Sequence, residues 1–392
     1  MKDFKTIVEE YQKLDLKDKR AALATVVKVC GSSYRSPGAR MLITDDGKWV
    51  GSISGGCLEG DALRKARKVM SDKVAMTVTY DTTEESNQNL GIGLGCNGVI
   101  DVLIEPIDPT SNDNPVSIFT EFIKTDKPLA VATIFSEKNT AEKFILNEDG
   151  IVVNKFTNPE LASLVEKDLK NIFTSHRSEA KKYSVAEEFE VFLELVQPTL
   201  SVILFGGGFD ARPVSRLAKS LGWEVSVTDE CVAHIAPVFF PTVDKLTMCD
   251  RKFIDRDFKI TPYTACVLMS HNYEYDRDVL RKLIFTKTPY IGLLGPRKRF
   301  DKMRDEFREE GIEIDNDTLS RIHSPIGLDI GAEAPDEIAV AIIAEVQSKF
   351  SHRSGGFLKY RHGPIHQRDG LSDQVFKQVY LGTGIRDRQK NG

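Results

Sequence analysis

The chain has 392 residues, 41% of them hydrophobic and 28% charged, with a formal net charge of -5. That length exceeds one ordinary core and points to about two domains, and the balance is that of a folded globular protein rather than a disordered one. The acidic excess excludes an extended nucleic-acid surface, no apolar run approaches the roughly 20 residues a bilayer requires, and the six cysteines are scattered without a CxxC pair or zinc spacing.

MKDFKTIVEEYQKLDLKDKR reads as an amphipathic, charged helix without a secretory h-region, so a cytoplasmic protein with reduced thiols is expected. AALATVVKVC (21–30) is a β-branched strand, followed by the turn-rich GSSYRSPG and the strand ARMLIT. DDGKWVGSIS supplies a hairpin turn and a third strand. CLEGDALRKARKVM then places Leu58, Ala62, Ala66 and Val69 on one helical face. Strand MTVTYD, loop TTEESNQNLGIGLGCNG and strand VIDVLIEP complete a first α/β domain over 1–107. A connecting α/β segment over 108–198 offers helix VSIFTEFIKT, strand PLAVATIFS, hairpin KFILNEDGIVV and two strands in KYSVAEEFEVFLELVQP. Regular strand and helix alternation over 199–350 predicts a Rossmann-like, doubly wound parallel sheet, and a Gly-, Arg- and His-rich tail occupies 351–392. No internal repeat is visible.

Two glycine clusters hold the candidate chemistry. In LSVILFGGGFDA, Gly206, Gly208 and Ala211 have the GxGxxA spacing between a strand and a helix. The first permits a tight turn, the second lets amides approach a phosphate, and the third allows close helix packing. Asp229, at the end of the next strand, suits a ribose hydroxyl and NAD rather than NADP; the alternative is a bare scaffold that binds nothing. In GSISGGCLEGD, Cys57 stands before a helix N-terminus, where the macrodipole favours thiolate, and the amides of Gly55 and Gly56 are expected to be open to an anion. The alternative for Cys57 is a small buried hydrophobe. Cys96 lies among the glycines of GIGLGCNG, including Gly95. Arg35 offers a fork for phosphate or carboxylate, or a solvated surface group. His271 follows a strand at its carboxyl end, a ligand-facing edge or a structural position; Arg297, Lys298 and Arg299 follow the next strand. Cys30, Cys231, Cys249 and Cys266 read as packing.

GSSYRSPGARML, GSISGGCLEGD, GLGCNGVIDVLIEP, the Gly206 turn, SHNYEYD and SPIGLDIGAEAPDEIAVAIIAE together resemble the XdhC/CoxI family, accessory proteins of xanthine dehydrogenase and carbon monoxide dehydrogenase. The resemblance covers residues 20–110 and 200–350. It implies that the chain binds molybdenum cofactor, a molybdopterin, supports its sulfuration and delivers it to a xanthine dehydrogenase-type apo-molybdoenzyme, with a cysteine desulfurase and a homodimeric partner as further candidates. It maps the family's two glycine-cysteine loops onto Cys57 and Cys96 as metal or sulfur holders. The competing readings are an NAD(P)-dependent oxidoreductase using Asp229 and His271, and a nucleotide-regulated interaction module. The chain departs from the family pattern at Phe209, where His is usual, near Cys231, where Arg is frequent, and at Asn97.

Overall fold

The computed structural model describes residues 2–15, 19–31, 33–82, 98–111, 114–123 and 125–360. They form two compact units, the chain passing from one to the other at Gln197–Pro198. Among the described residues no helix is long and apolar enough to cross a membrane.

The first unit runs twice through one order of elements. α1 (Lys2–Gln12), β1 (Ala21–Gly31), β2 (Arg40–Thr44), β3 (Trp49–Gly51), α2 (Glu59–Asp72), β4 (Met76–Asp81) and β5 (Gly98–Ile107) come first. Then follow α3 (Pro115–Ile123), β6 (Leu129–Ile134), β7 (Lys143–Asn147), β8 (Gly150–Asn154), α4 (Pro159–Ser175), β9 (Glu179–Val185) and β10 (Glu187–Val196). Each set builds an antiparallel five-stranded sheet, ordered β3-β2-β1-β5-β4 in one and β8-β7-β6-β10-β9 in the other. The segment from 108 onward, expected as a connector, therefore forms the second half of this unit.

Alternation along the strands explains the layers. Ala22, Ala24 and Val26 of β1 face the apolar stripe of α2, whereas Ala21 and Leu23 turn to the opposite side and meet Val131 and Ile145 of the second sheet. A bulge between Val26 and Lys28 shifts the phase, so that Val29 also joins the α2 layer. On the far side α4 covers the second sheet through Leu161, Val165 and Leu169. The result is helix, sheet, sheet, helix.

The duplication extends to individual residues. Thr25 pairs with Arg40 across β1 and β2, and Thr133 pairs with Lys143 across β6 and β7. Leu23 pairs with Glu105, and Val131 with Glu194. The charged members then cross between the sheets: Arg40 meets Glu194 through two bonds of 2.8 and 2.5 Å, and Lys143 meets Glu105 at 2.5 Å. All four are buried. The Arg40 guanidinium also lies 4.4 Å from the Phe4 ring and 4.6 Å from that of Phe119. The equivalent positions hold Glu in both halves and a cation in both, but no local sequence pattern announces the pairs, because the partners are 154 and 38 positions apart.

The second unit is the Rossmann-like sheet. β11 (Ser201–Phe205), α5 (Ala211–Ser220), β12 (Glu224–Asp229), β13 (Lys245–Met248), α6 (Ile254–Asp257), β14 (Thr264–Leu268), α7 (Tyr273–Leu283), β15 (Tyr290–Leu293), α8 (Arg297–Glu309), α9 (Asn316–Leu319), β16 (Ile322–His323) and α10 (Pro335–Phe350) follow in order. The strands are all parallel, ordered β13-β12-β11-β14-β15-β16. α5 and α10 cover one face, α7 and α8 the other, as a two-sided hydrophobic sheet requires. The sequence reading of a mixed α/β unit followed by a doubly wound parallel sheet holds. α4 was missed, although Asn158 and Pro159 are a conventional start: Asn158 Oδ1 accepts the Leu161 amide at 3.0 Å.

Candidate functional site

The connection from β3 to α2 wraps around one carboxylate. Glu59, the first residue of α2 and 4% exposed, reaches back into residues 52–58. Its Oε1 accepts the Ser52 hydroxyl at 2.8 Å and the amides of Ile53, Ser54 and Gly55 at 3.1, 2.9 and 3.2 Å. Its Oε2 accepts the Ser54 hydroxyl at 2.5 Å and the amides of Gly56 and Leu58 at 2.9 and 3.1 Å. Burial would raise the Glu59 pKa, but the bonds from Ser54 and Ser52 outweigh it and hold the group at about 2. Gly55 and Gly56, at φ 94° and 127°, take the left-handed conformations that turn their amides inward. This corrects the expectation for both glycines: their amides are committed to Glu59 and are not open to an external anion.

Cys57 is half-buried and shares a cavity of about 10 Å³ with Ser33, Tyr34, Ser54, Leu58, Thr82 and Ile100. That is room for one water, far below the several hundred Å³ of a small-molecule pocket. Arg35 adjoins Tyr34, its amide donating to the Ser33 hydroxyl at 3.3 Å. Thr82 also closes the base of the β4–β5 connection: its amide and hydroxyl donate to the Gly98 carbonyl at 2.9 and 2.6 Å, and the Gly98 amide donates back to the hydroxyl at 3.1 Å. Residues 83–97, with Gly95, Cys96 and Asn97, lie outside the described residues. The last described residues at the base of their connection thus include one that shares a cavity with Cys57.

The structure gathers the other predicted residues in the second unit. Gly206 has φ 119°, and a Cβ there would come within 2.5 Å of the Ser270 backbone, so only glycine fits. Gly208 is open, its nearest neighbour the His271 ring. Ala211 is fully buried at the start of α5. His271, at φ 60°, sets Nε2 3.2 Å from Asp210 Oδ2. Asp229 is a correction to the ribose-holding expectation, because both its oxygens are engaged: Oδ2 by the Gly207 amide at 2.8 Å and by His234 Nδ1 at 3.1 Å, Oδ1 by the Cys231 amide at 2.8 Å. The His234 carbonyl lies so close to Gly207 that a Cβ there would sit 2.7 Å from it.

Arg299 is likewise spent on a neighbour, donating to Asp276 at 2.6 Å. Phe209 is exposed, and Arg212 lies between its ring at 5.3 Å and that of Phe239 at 3.6 Å. Cys231 is exposed rather than packed, because it precedes a short 3-10 turn (Val232–His234) at the surface; Cys30, Cys249 and Cys266 are buried. Among the described residues no three His, Cys, Asp or Glu side chains converge as a metal cluster. Sequence reasoning overlooked Glu59, whose only local sign was an acid in the first turn of a helix following a serine- and glycine-rich loop.

Residues 16–81 match the model of the XdhC and CoxI family, and residues 202–346 match the XdhC Rossmann domain. A Bacillus subtilis protein, named as one probable component of a xanthine dehydrogenase, is 30% identical over 83% of this chain and 92% of its own length. The Escherichia coli molybdenum cofactor insertion chaperone PaoD is 22% identical over 90% of each chain. A crystal structure described as a xanthine dehydrogenase from Bacillus halodurans superposes with a TM-score of 0.74 at 28% identity, covering 90% of this chain and 97% of the other.

Proposed function

Because the chain belongs to the XdhC and CoxI family, we propose that it receives molybdenum cofactor and passes it to a xanthine dehydrogenase-type apo-molybdoenzyme. One observation supports this most: the half-buried Cys57 thiol shares its cavity with Thr82, which ties the base of the connection that carries Cys96. A soft sulfur ligand suits molybdenum or a persulfide sulfur, and the hydroxyls of Ser33 and Tyr34 suit the polar edge of a pterin. The cargo, molybdenum held by the dithiolene sulfurs of a molybdopterin, would itself bring the metal. In this reading Cys57 and Cys96 hold its metal end at the rim of the small cavity. Its phosphate is met by Arg35, since the Gly55 and Gly56 amides are engaged by Glu59. Sulfuration, with sulfur drawn from a cysteine desulfurase, belongs to the same proposal.

The experiment is release of the pterin. Protein purified from cells that make the cofactor is oxidised with acid iodine, and the fluorescent product is measured. We expect a clear yield from the native chain and a several-fold lower one from Cys57→Ser. A native yield equal to the buffer blank overturns the proposal.

Nucleotide binding by the second unit is the subsidiary reading, resting on the space beside Gly208, where a Cβ would meet nothing nearer than the His271 ring at 3.7 Å. It requires the Val232–Ile235 stretch to release Asp229 and Gly207. Calorimetric titration with NAD, ATP and CTP tests it; absence of heat with all three removes it, together with the oxidoreductase reading.

A further inference from the structure

We infer that Glu59 is the positioning residue of Cys57: its carboxylate serves as a permanent internal anion in a nest of loop amides, and so holds the thiol at the cavity. This rests on the reading of Cys57 as the group that grips the cargo. A capping box satisfies two backbone donors. Glu59 takes five amides, those of Ile53, Ser54, Gly55, Gly56 and Leu58, together with the hydroxyls of Ser52 and Ser54. The Ser54 hydroxyl accepts the Leu58 amide in turn at 2.9 Å, closing the loop on both sides of Cys57.

The duplicated half shows that such a network is unnecessary for starting a helix in this fold. α4 begins at the equivalent place with Pro159, and a single side-chain bond from Asn158 suffices. The additional bonds at α2 therefore serve residues 52–58, and Cys57 is the side chain of that loop with soft-metal chemistry. Five inward amides would otherwise form an anion site of the kind that binds phosphate or carboxylate. Filled from within, the loop keeps its shape before any cargo arrives and discriminates against a phosphate end docking there.

The test uses cofactor-free full-length protein and sodium formate, a one-carbon carboxylate small enough to occupy the space left by Glu59→Ala. Iodoacetamide labelling of each cysteine is followed by peptide mass spectrometry, with the fully buried Cys266 as the reporter of an intact fold. We expect Cys57 in Glu59→Ala to label several-fold faster than in the native chain, and formate to restore most of the native rate. Formate should leave the native chain unchanged, and also Glu59→Gln, whose side chain still fills the space. A native labelling rate in Glu59→Ala, or acceleration that formate does not reverse, overturns the inference. Should Cys266 label as well, Glu59→Gln carries the decision: it keeps the volume but loses the charge and one acceptor, and native labelling of its Cys57 refutes the role. No pterin enters the experiment, so loss of the cargo proposal and loss of this one are read separately.

Discussion

The two halves of the first unit share a topology and differ at one end. Between β3 and α2 the first half has residues 52–58, where the second has residues 155–158. Between β4 and β5 it has residues 82–97, where the second turns through Ala186 alone, at φ 50°. Both candidate cysteines fall in the two connections that the first half has lengthened. The second half preserves the fold with minimal turns and contributes a covering sheet and two buried charges. A shared scaffold thus separates what the architecture needs from what the site needs, which a single copy would not allow.

The largest effect should come from the crossed ion pairs. Arg40→Met strands the Glu194 carboxylate and Lys143→Met strands that of Glu105; each should cost about 3–5 kcal/mol, because a buried charge loses its partner. Urea unfolding measures both, and one cost near zero would break the equivalence of the halves. Arg40→Met combined with Glu194→Leu should recover most of the loss. Acid sensitivity should follow for the first half's loop. The Glu59 carboxyl is held at about 2 in the folded chain, below its ordinary 4.5. Its contribution is therefore complete above that ordinary value and is lost as pH falls from 4.5 towards about 2. Glu59→Gln should flatten the unfolding free energy across that window, while a native profile in the variant argues against the network. At α4, Asn158→Ala removes a conventional cap and should cost about 1 kcal/mol in the same assay. A gain in stability rather than a loss is expected from replacing residues 83–97 with Asn-Gly, which brings the first half close to the short turn of the second. Thr82 and Gly98 are already bonded at the base, and shortening the connection more than seven-fold lowers its closure cost by roughly 2 kcal/mol. The same replacement should abolish pterin recovery, and retained pterin would detach the connection from the site.

Legibility followed the range of the forces involved. The α2 stripe of Leu58, Ala62, Ala66 and Val69 was readable because helical periodicity is local, and all four are buried. The glycine turn at Gly206 was readable because the strand, turn and helix that need it are contiguous. The state of Gly55 and Gly56 was misjudged: inward glycine amides can be inferred from sequence, but their occupant cannot. Asp229 was placed correctly at a strand end, yet its engagement by Gly207, Cys231 and His234 depends on how the following turn folds back.

By itself the sequence determined the class of each unit, the order of most elements and the two connections worth attention, because hydrophobic period, turn chemistry and helix starts are written within a few residues. Only the tertiary structure decided that the chain up to Gln197 holds one duplicated body, that Arg40 and Lys143 cross to Glu194 and Glu105, and that Glu59 fills the nest beside Cys57. Those facts arise from burial, where a charge or an amide must find a partner wherever the fold brings one, and such partners carry no trace in local sequence pattern.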